Sequence, residues 1–161
     1  MVVKLYQKIE VSSQDWSRAQ IESAQDNGCQ AGGYFWLYRD LDPFTAVNDV
    51  LDLAESCGLD LPVLWIDVET YTDGSIPRWE TVRDALTACD ERGVTGGIYT
   101  SISMWAKLNA PDIPEGIPLW TANYGSAPNL EGTPLYGGWK REWLRGHQWT
   151  STPLDQNVFL I

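Results

Sequence analysis

A chain of 161 residues, 43% hydrophobic and 20% charged, has the length of one domain and enough apolar side chains to bury a substantial core. Its formal net charge of -11 comes with few, scattered basic residues, which excludes the clustered basic stripe of a nucleic-acid binder. Nine tryptophans are more than packing requires in a chain of this size, and because indole faces commonly stack on sugar rings, carbohydrate is favoured over phosphate as a ligand.

Cys29, Cys57 and Cys89 are an odd set without CxxC or Cys/His spacing, and each falls near the expected end of a helix; free, half-buried thiols are the expectation. No apolar run reaches the length of a membrane span, and Met1-Val2-Val3-Lys4 leads straight into a strand-like segment without a signal-peptide pattern. A chain that is neither anchored nor self-exporting is expected, with no nucleic-acid or membrane partner.

From the N-terminus, Val2 to Lys8 reads as a strand and Gln14 to Asn27 as a helix, with Trp16, Ile21 and Ala24 inward and Gly28 as its stop. Ala31 to Tyr38 is the next strand. Asp42-Pro43 supplies an N-cap and a proline at the first helical position; Phe44, Val47, Val50, Leu51 and Ala54 then mark one helical face before Gly58. Leu61 to Glu69 reads as a strand, followed by the polar turn Tyr71-Thr72-Asp73-Gly74-Ser75. Trp79, Val82, Leu86 and Cys89 recur at helical spacing up to Gly93. Strand Thr95 to Thr100, a short helix around Ser103 to Leu108 and strand Ile117 to Asn123 follow. Beyond Gly125 the helical pattern stops, and Pro134 to Trp139, Arg145 to Thr150 and Gln156 to Ile161 read as short strands joined by turns. Four or five strand-helix units followed by plain strands predict a parallel α/β sheet closing into a barrel whose last strands lack helices.

The strand Leu64-Trp65-Ile66-Asp67-Val68-Glu69 carries two carboxylates where packing calls for none. Side chains alternate along a strand, so Asp67 and Glu69 share a face with Trp65 while Leu64, Ile66 and Val68 take the other. Neighbouring carboxylates repel, which favours keeping one protonated while the other stays charged, as acid-assisted glycoside cleavage requires. In parallel α/β folds such residues collect at the C-terminal ends of strands. The other strands also end in aromatic or polar residues: Tyr34-Phe35-Trp36, Tyr99-Thr100, Trp120-Thr121-Ala122-Asn123-Tyr124 and Gln148-Trp149-Thr150. Trp36 and Gln148 therefore join the candidate substrate-binding residues.

Leu64-Trp65-Ile66-Asp67-Val68-Glu69, Gly97-Ile98-Tyr99-Thr100-Ser101, Leu119-Trp120-Thr121-Ala122-Asn123-Tyr124 and His147-Gln148-Trp149-Thr150-Ser151 through Asp155-Gln156-Asn157 together resemble the glycoside hydrolase family 25 muramidases, the Chalaropsis-type lysozymes. The resemblance spans nearly the whole chain, most clearly from Ala31 onward. It implies one catalytic domain over residues 1–161, an α/β fold of TIM-like (β/α)5(β)3 type, and hydrolysis of the β-1,4 bond between N-acetylmuramic acid and N-acetylglucosamine in peptidoglycan, without a cofactor. Glu69 matches the family's proton donor, Asp67 its neighbouring carboxylate and Asp155 the late aspartate facing them. Tyr34, Tyr99, Trp120 and Tyr124 match aromatic positions lining the sugar groove.

One departure stands out. The family's first strand carries Gly-Ile-Asp-Val-Ser or a close variant, and nothing here matches it; Val2-Val3-Lys4-Leu5-Tyr6 resembles the second strand instead. The expectation is a barrel incomplete at its N-terminus, lacking a unit of about 30 residues. Asp15, beside Trp16 at the start of a helix, reads as a capping residue rather than a substitute. Two unpaired sheet edges would follow, giving either self-association into a homo-oligomer or a rearranged, open barrel. The rival to a hydrolase is a non-catalytic glycan-binding fragment or pseudoenzyme of the same family. A related barrel acting on a different glycan is a third reading. A muramidase of this kind would act on the cell wall, as a phage endolysin or as a domain of a secreted protein.

Other motifs carry less. Gly32-Gly33, Gly96-Gly97 and Gly137-Gly138 form no phosphate loop; close backbone approach is the expected use. His147 is the only histidine, which excludes a histidine metal cluster and makes a hydrogen-bonded strand residue its expected role. Ser101 and Ser103 lack the context of a nucleophile.

Overall fold

The computed structural model describes residues 2–6, 11–38, 40–71 and 73–160, with side chains from residue 15 onward. Strand β1 (Val2–Tyr6), helix α1 (Val11–Asp26), β2 (Gly32–Trp36), α2 (Pro43–Ser56), β3 (Val63–Asp67), α3 (Trp79–Glu91), β4 (Thr95–Ser101) and α4 (Ile102–Leu108) form four strand-helix units. Strands β5 (Leu119–Ala122), β6 (Leu144–Thr150) and β7 (Gln156–Phe159) follow, with one 3-10 turn at Arg141–Trp143. The strands lie in chain order in a single sheet, β1 to β6 parallel and β7 antiparallel to β6. The expected ends of the first strand at Lys8, of the last at Ile161, and Thr72 of the polar turn lie outside the described residues.

The sheet is curled. Four strand spacings separate β3 from β7, about 19 Å if the sheet were flat. Yet the rings of Trp65 on β3 and Phe159 on β7 have centroids only 6.1 Å apart, and Tyr34 on β2 comes within 6.2 Å of Trp120 on β5. The sheet order begins at β1 and finishes at β7, so the architecture is an incomplete TIM-like barrel.

Its convex side carries the main core. Leu64 and Ile66 of β3 and Val68 just beyond it, with Phe35 of β2 and Ile98 of β4, are fully buried among Val47, Val50 and Ala54 of α2 and Val82, Ala85 and Cys89 of α3. Local signals set these helices as the sequence predicts. Asp42 accepts a hydrogen bond from the amide of Thr45 at 2.8 Å, with Pro43 as the first helical residue, and Gly28, Gly58 and Gly93 take left-handed φ values just past their helices. Between β5 and β6 the cover is an irregular segment rather than a helix. Trp139 seals it, meeting Trp105 edge to face with ring centroids 4.5 Å apart and donating its indole N–H to the Ile117 carbonyl at 3.0 Å.

Several expectations are corrected. Pro134 to Trp139 is not a strand: Gly137 and Gly138 both take positive φ, 58° and 82°, which reverses the chain there. Trp16 is 68% exposed, because the inward face of α1 is set by Ser17, Ile21 and Ala24, one position further round the helix. The same helix begins at Val11, so Asp15 lies within it and does not cap it. All three cysteines are free, but only Cys57 is half-buried; Cys29 is exposed and Cys89 lies fully within the core, where burial pushes its thiol up to about 12.

The concave side is lined differently. Trp65, Tyr99, Trp120 and Ala122 form a separate buried cluster there, with Tyr34 and Phe159 packed against it. Glycines make room for it. A Cβ on Gly97 would lie 2.7 Å from the Trp65 ring, and one on Gly146 would lie 2.5 Å from Phe159 and 2.8 Å from Trp120. The Gly96-Gly97 pair thus serves close approach on both faces, since a Cβ on Gly96 would meet Leu86 of α3 at 2.9 Å.

Candidate active site

At the C-terminal ends of the parallel strands the concave side opens into a cavity of about 580 Å³. Asp67, Glu69 and Asp155 all line it, together with Tyr34, Trp36, Tyr99, Trp120, Tyr124 and Gln148. Every residue singled out from the sequence as catalytic or substrate-binding therefore meets in one place. Asn157 and Phe159 line it as well and were missed. They follow Asp155 at a period of two along β7, the spacing that puts residues on one face of a strand.

Strand β3 ends at Asp67, which is 6% exposed, and Glu69 sits two residues beyond on the loop. The intervening residue fixes that loop. The Val68 amide donates to the Tyr99 carbonyl at 2.9 Å, and the Val68 carbonyl accepts from the Thr100 hydroxyl at 3.0 Å. With Val68 held against β4 and its side chain in the core, Glu69 is turned back toward the cavity on the same side as Asp67.

The three carboxylates converge on Tyr34. Its hydroxyl is pushed up to about 12, first by burial and then by the negative charges of Asp67, Asp155 and Glu69. Tyr99 is likewise held well above the ordinary phenol range, by burial foremost, then by Glu69, a hydrogen bond with Tyr124, and Asp67. Both phenols are thus neutral hydrogen-bonding groups across the working pH range of proteins. Tyr99 donates to the Gln148 side-chain oxygen at 2.5 Å, and the Trp120 indole N–H donates to the Asn157 side-chain oxygen at 2.9 Å.

Aromatic rings make most of the walls. Trp120 lies between Tyr99 and Phe159, with centroids 4.5 and 5.2 Å away, and Trp36 continues outward to Tyr38 at 5.0 Å, which stacks on Tyr71. Tyr124, 55% exposed, stands at the rim on the loop after β5. His147 does not line the cavity. Fully buried on the opposite face of β6, it bonds through Nδ1 to the Asn129 carbonyl at 2.8 Å and through Nε2 to the Ser126 hydroxyl at 3.0 Å, anchoring the loop that follows Tyr124. Among the described residues, none of the side chains lining the cavity is a lysine, arginine or histidine, and no group of three His, Cys, Asp or Glu side chains is arranged to hold a metal ion.

A family model described as lysozyme-like protein 1 matches residues 1–143. The chain belongs to the lysozyme-like protein 1 family. Two curated relatives from Dictyostelium discoideum are similar over a shorter stretch: counting factor 45-1, 29% identical over 104 residues, and counting factor 50, 30% identical over 103. Each match covers 59% of this chain but only about a third of the relative, 34% and 33% respectively.

Among solved structures, this lysozyme-like chain has the fold of glycoside hydrolase family 25 proteins. A glycosyl hydrolase 25 of Streptococcus pneumoniae, the virulence factor GHIP, superposes with a TM-score of 0.69 at 18% identity, over 99% of this chain and 75% of that one. The catalytic domain of endolysin ply40 from bacteriophage P40 of Listeria monocytogenes gives 0.67 at 19%, over 99% and 81%. The modular autolysin LytC of Streptococcus pneumoniae, in complex with a synthetic peptidoglycan ligand, gives 0.69 at 18%, over 96% and 37%.

Proposed function

We propose that this domain hydrolyses peptidoglycan as a muramidase, cleaving the β-1,4 bond between N-acetylmuramic acid and N-acetylglucosamine. The observation that carries the reading is the meeting of Asp67, Glu69 and Asp155 in one aromatic-walled cavity at the strand ends. In this reading Glu69 gives its proton to the leaving glycosidic oxygen as the bond to the anomeric carbon breaks. Asp67, largely removed from water, stabilises the positive charge growing on the sugar ring, or orients the 2-acetamido group where that group is the nucleophile. Asp155, just ahead of β7, adds negative charge beside the pair, while Trp120, Tyr34, Trp36 and Tyr124 offer ring faces to successive sugars. Water attack on the anomeric carbon completes the cleavage and returns a proton to Glu69.

The open sheet favours a second reading, a groove that binds glycan without cleaving it. One assay separates the two. Purified protein that releases reducing ends from peptidoglycan, with release abolished in Glu69→Gln while glycan binding persists, supports the hydrolase. No release by the unmodified protein, with glycan still bound and Trp120→Ala weakening it, supports the binding module.

A further inference from the structure

Gln148 of β6 and Asn157 of β7 stand directly opposite one another in the antiparallel register, and both line the cavity. Each commits its side-chain oxygen to an aromatic donor behind it. The Trp120 indole N–H, which can only donate, bonds Asn157 Oδ1, and the Tyr99 hydroxyl bonds Gln148 Oε1. The indole fixes which way the Asn157 amide points, because a flipped amide would set two donors against each other. With both oxygens tied back, what the pair offers a ligand is two NH2 groups, side by side.

These amides join the phenol hydroxyls of Tyr34 and Tyr124 as donors around the cavity, and they alone stand as an adjacent NH2 pair across two strands. Asp67, Glu69 and Asp155 are acceptors when charged, and no cationic side chain lines the site among the described residues. A ligand oxygen that needs a donor, and that is uncharged enough to sit near three carboxylates, fits this pair. An amide carbonyl meets both conditions; a carboxylate or phosphate meets only the first.

We propose that Gln148 and Asn157 form a specificity-determining donor pair that selects β-1,4 glycans by the carbonyl of a 2-acetamido group. This rests on the glycan reading of the cavity and adds which substituent the site reads and with which atoms. The neighbouring rings of Trp120 and Phe159 supply an apolar surface beside it for the acetamido methyl group.

Binding, rather than turnover, tests it. Titration by tryptophan fluorescence compares the tetrasaccharide of β-1,4-linked N-acetylglucosamine with cellotetraose, which has the same linkage and hydroxyls in place of the acetamido groups. The unmodified protein is expected to prefer the acetylated chain by about tenfold, the worth of one or two well-placed hydrogen bonds. Asn157→Asp keeps an acceptor for the indole but replaces the donor, so the preference for the acetylated chain over cellotetraose should collapse. Trp120→Phe keeps a ring but frees the Asn157 amide, so it should reduce the preference in the same direction even if Asn157→Asp fails to fold. A preference that survives in every variant that folds, or that the unmodified protein lacks while still binding cellotetraose, overturns the proposal and leaves the glycan reading standing. Failure to bind either tetrasaccharide, together with no reducing ends released from peptidoglycan, overturns both.

Discussion

The two faces of one sheet are built from alternate residues of the same strands, and they have opposite characters. On β3, Leu64 and Ile66 enter an aliphatic core against α2 and α3, while Trp65 and Asp67, one residue out of step, enter an aromatic and acidic interior. The convex face buries apolar surface and so supplies stability. The concave face buries rings too, but it also holds a carboxylate largely out of water beside a cavity, a cost in stability that the aliphatic core does not carry. A strand's period of two lets the faces be set separately, and variants on each should show effects of different kinds.

The largest effect is expected at Glu69. Under the muramidase reading, Glu69→Gln should lower reducing-end release by about 10²–10⁴-fold, the usual worth of a general acid, with the unfolding midpoint in urea unchanged. Next is the convex face. Ile66→Ala removes a fully buried side chain and should cost about 2–5 kcal/mol by urea unfolding, while the folded protein keeps its affinity for sugar. Equal losses of stability and affinity would show that the two faces are coupled.

Gly97 tests the boundary between them. A methyl group there lies 2.7 Å from the Trp65 ring, so Gly97→Ala should cost about 1–3 kcal/mol and shift tryptophan emission as the ring is displaced. The smallest effect concerns Tyr34, whose hydroxyl is raised from 10.0 to about 12 in the folded protein. The folded state then holds this proton more tightly than the unfolded state does. The stability linked to it is complete below pH 10 and is lost as pH rises through 12. Tyr34→Phe should therefore lose less thermal stability than the unmodified protein between those pH values, and should remove one of the phenols that ionise late in absorbance at 295 nm.

Much of the convex face was legible because its signals are local. Asp42-Pro43 and the glycines at 28, 58 and 93 announce helix ends through backbone chemistry that no distant contact overrides. Pro134 to Trp139 misled because Leu135, Tyr136 and Trp139 are apolar enough to suggest a strand, whereas their burial comes from lying over the sheet in the place of a helix. Trp16 misleads because an apolar indole fits a loosely read helical pattern, whereas Ile21 and Ala24 set a face that Ser17, not Trp16, shares. On the concave face, Asp67 and Glu69 stood out because acids are rare at the end of an apolar strand. Asn157 and Phe159 did not, since a neutral amide and a lone phenylalanine carry no such contrast until Asp155 fixes the face they share.

Among the described residues, strand β7 is attached to the sheet along one side only, by its antiparallel pairing with β6, and it brings Asn157 and Phe159 to the cavity with Asp155 just ahead of it. A segment held on one side opens at lower free energy than strands held on both. On warming, then, the cavity should lose a wall while β2 to β4 are still packed against their helices. Ligand binding should fade at a lower temperature than the main unfolding transition, and amide exchange in Gln156–Phe159 should outpace that in Val63–Asp67. Heat would open the cavity before it unfolds the protein.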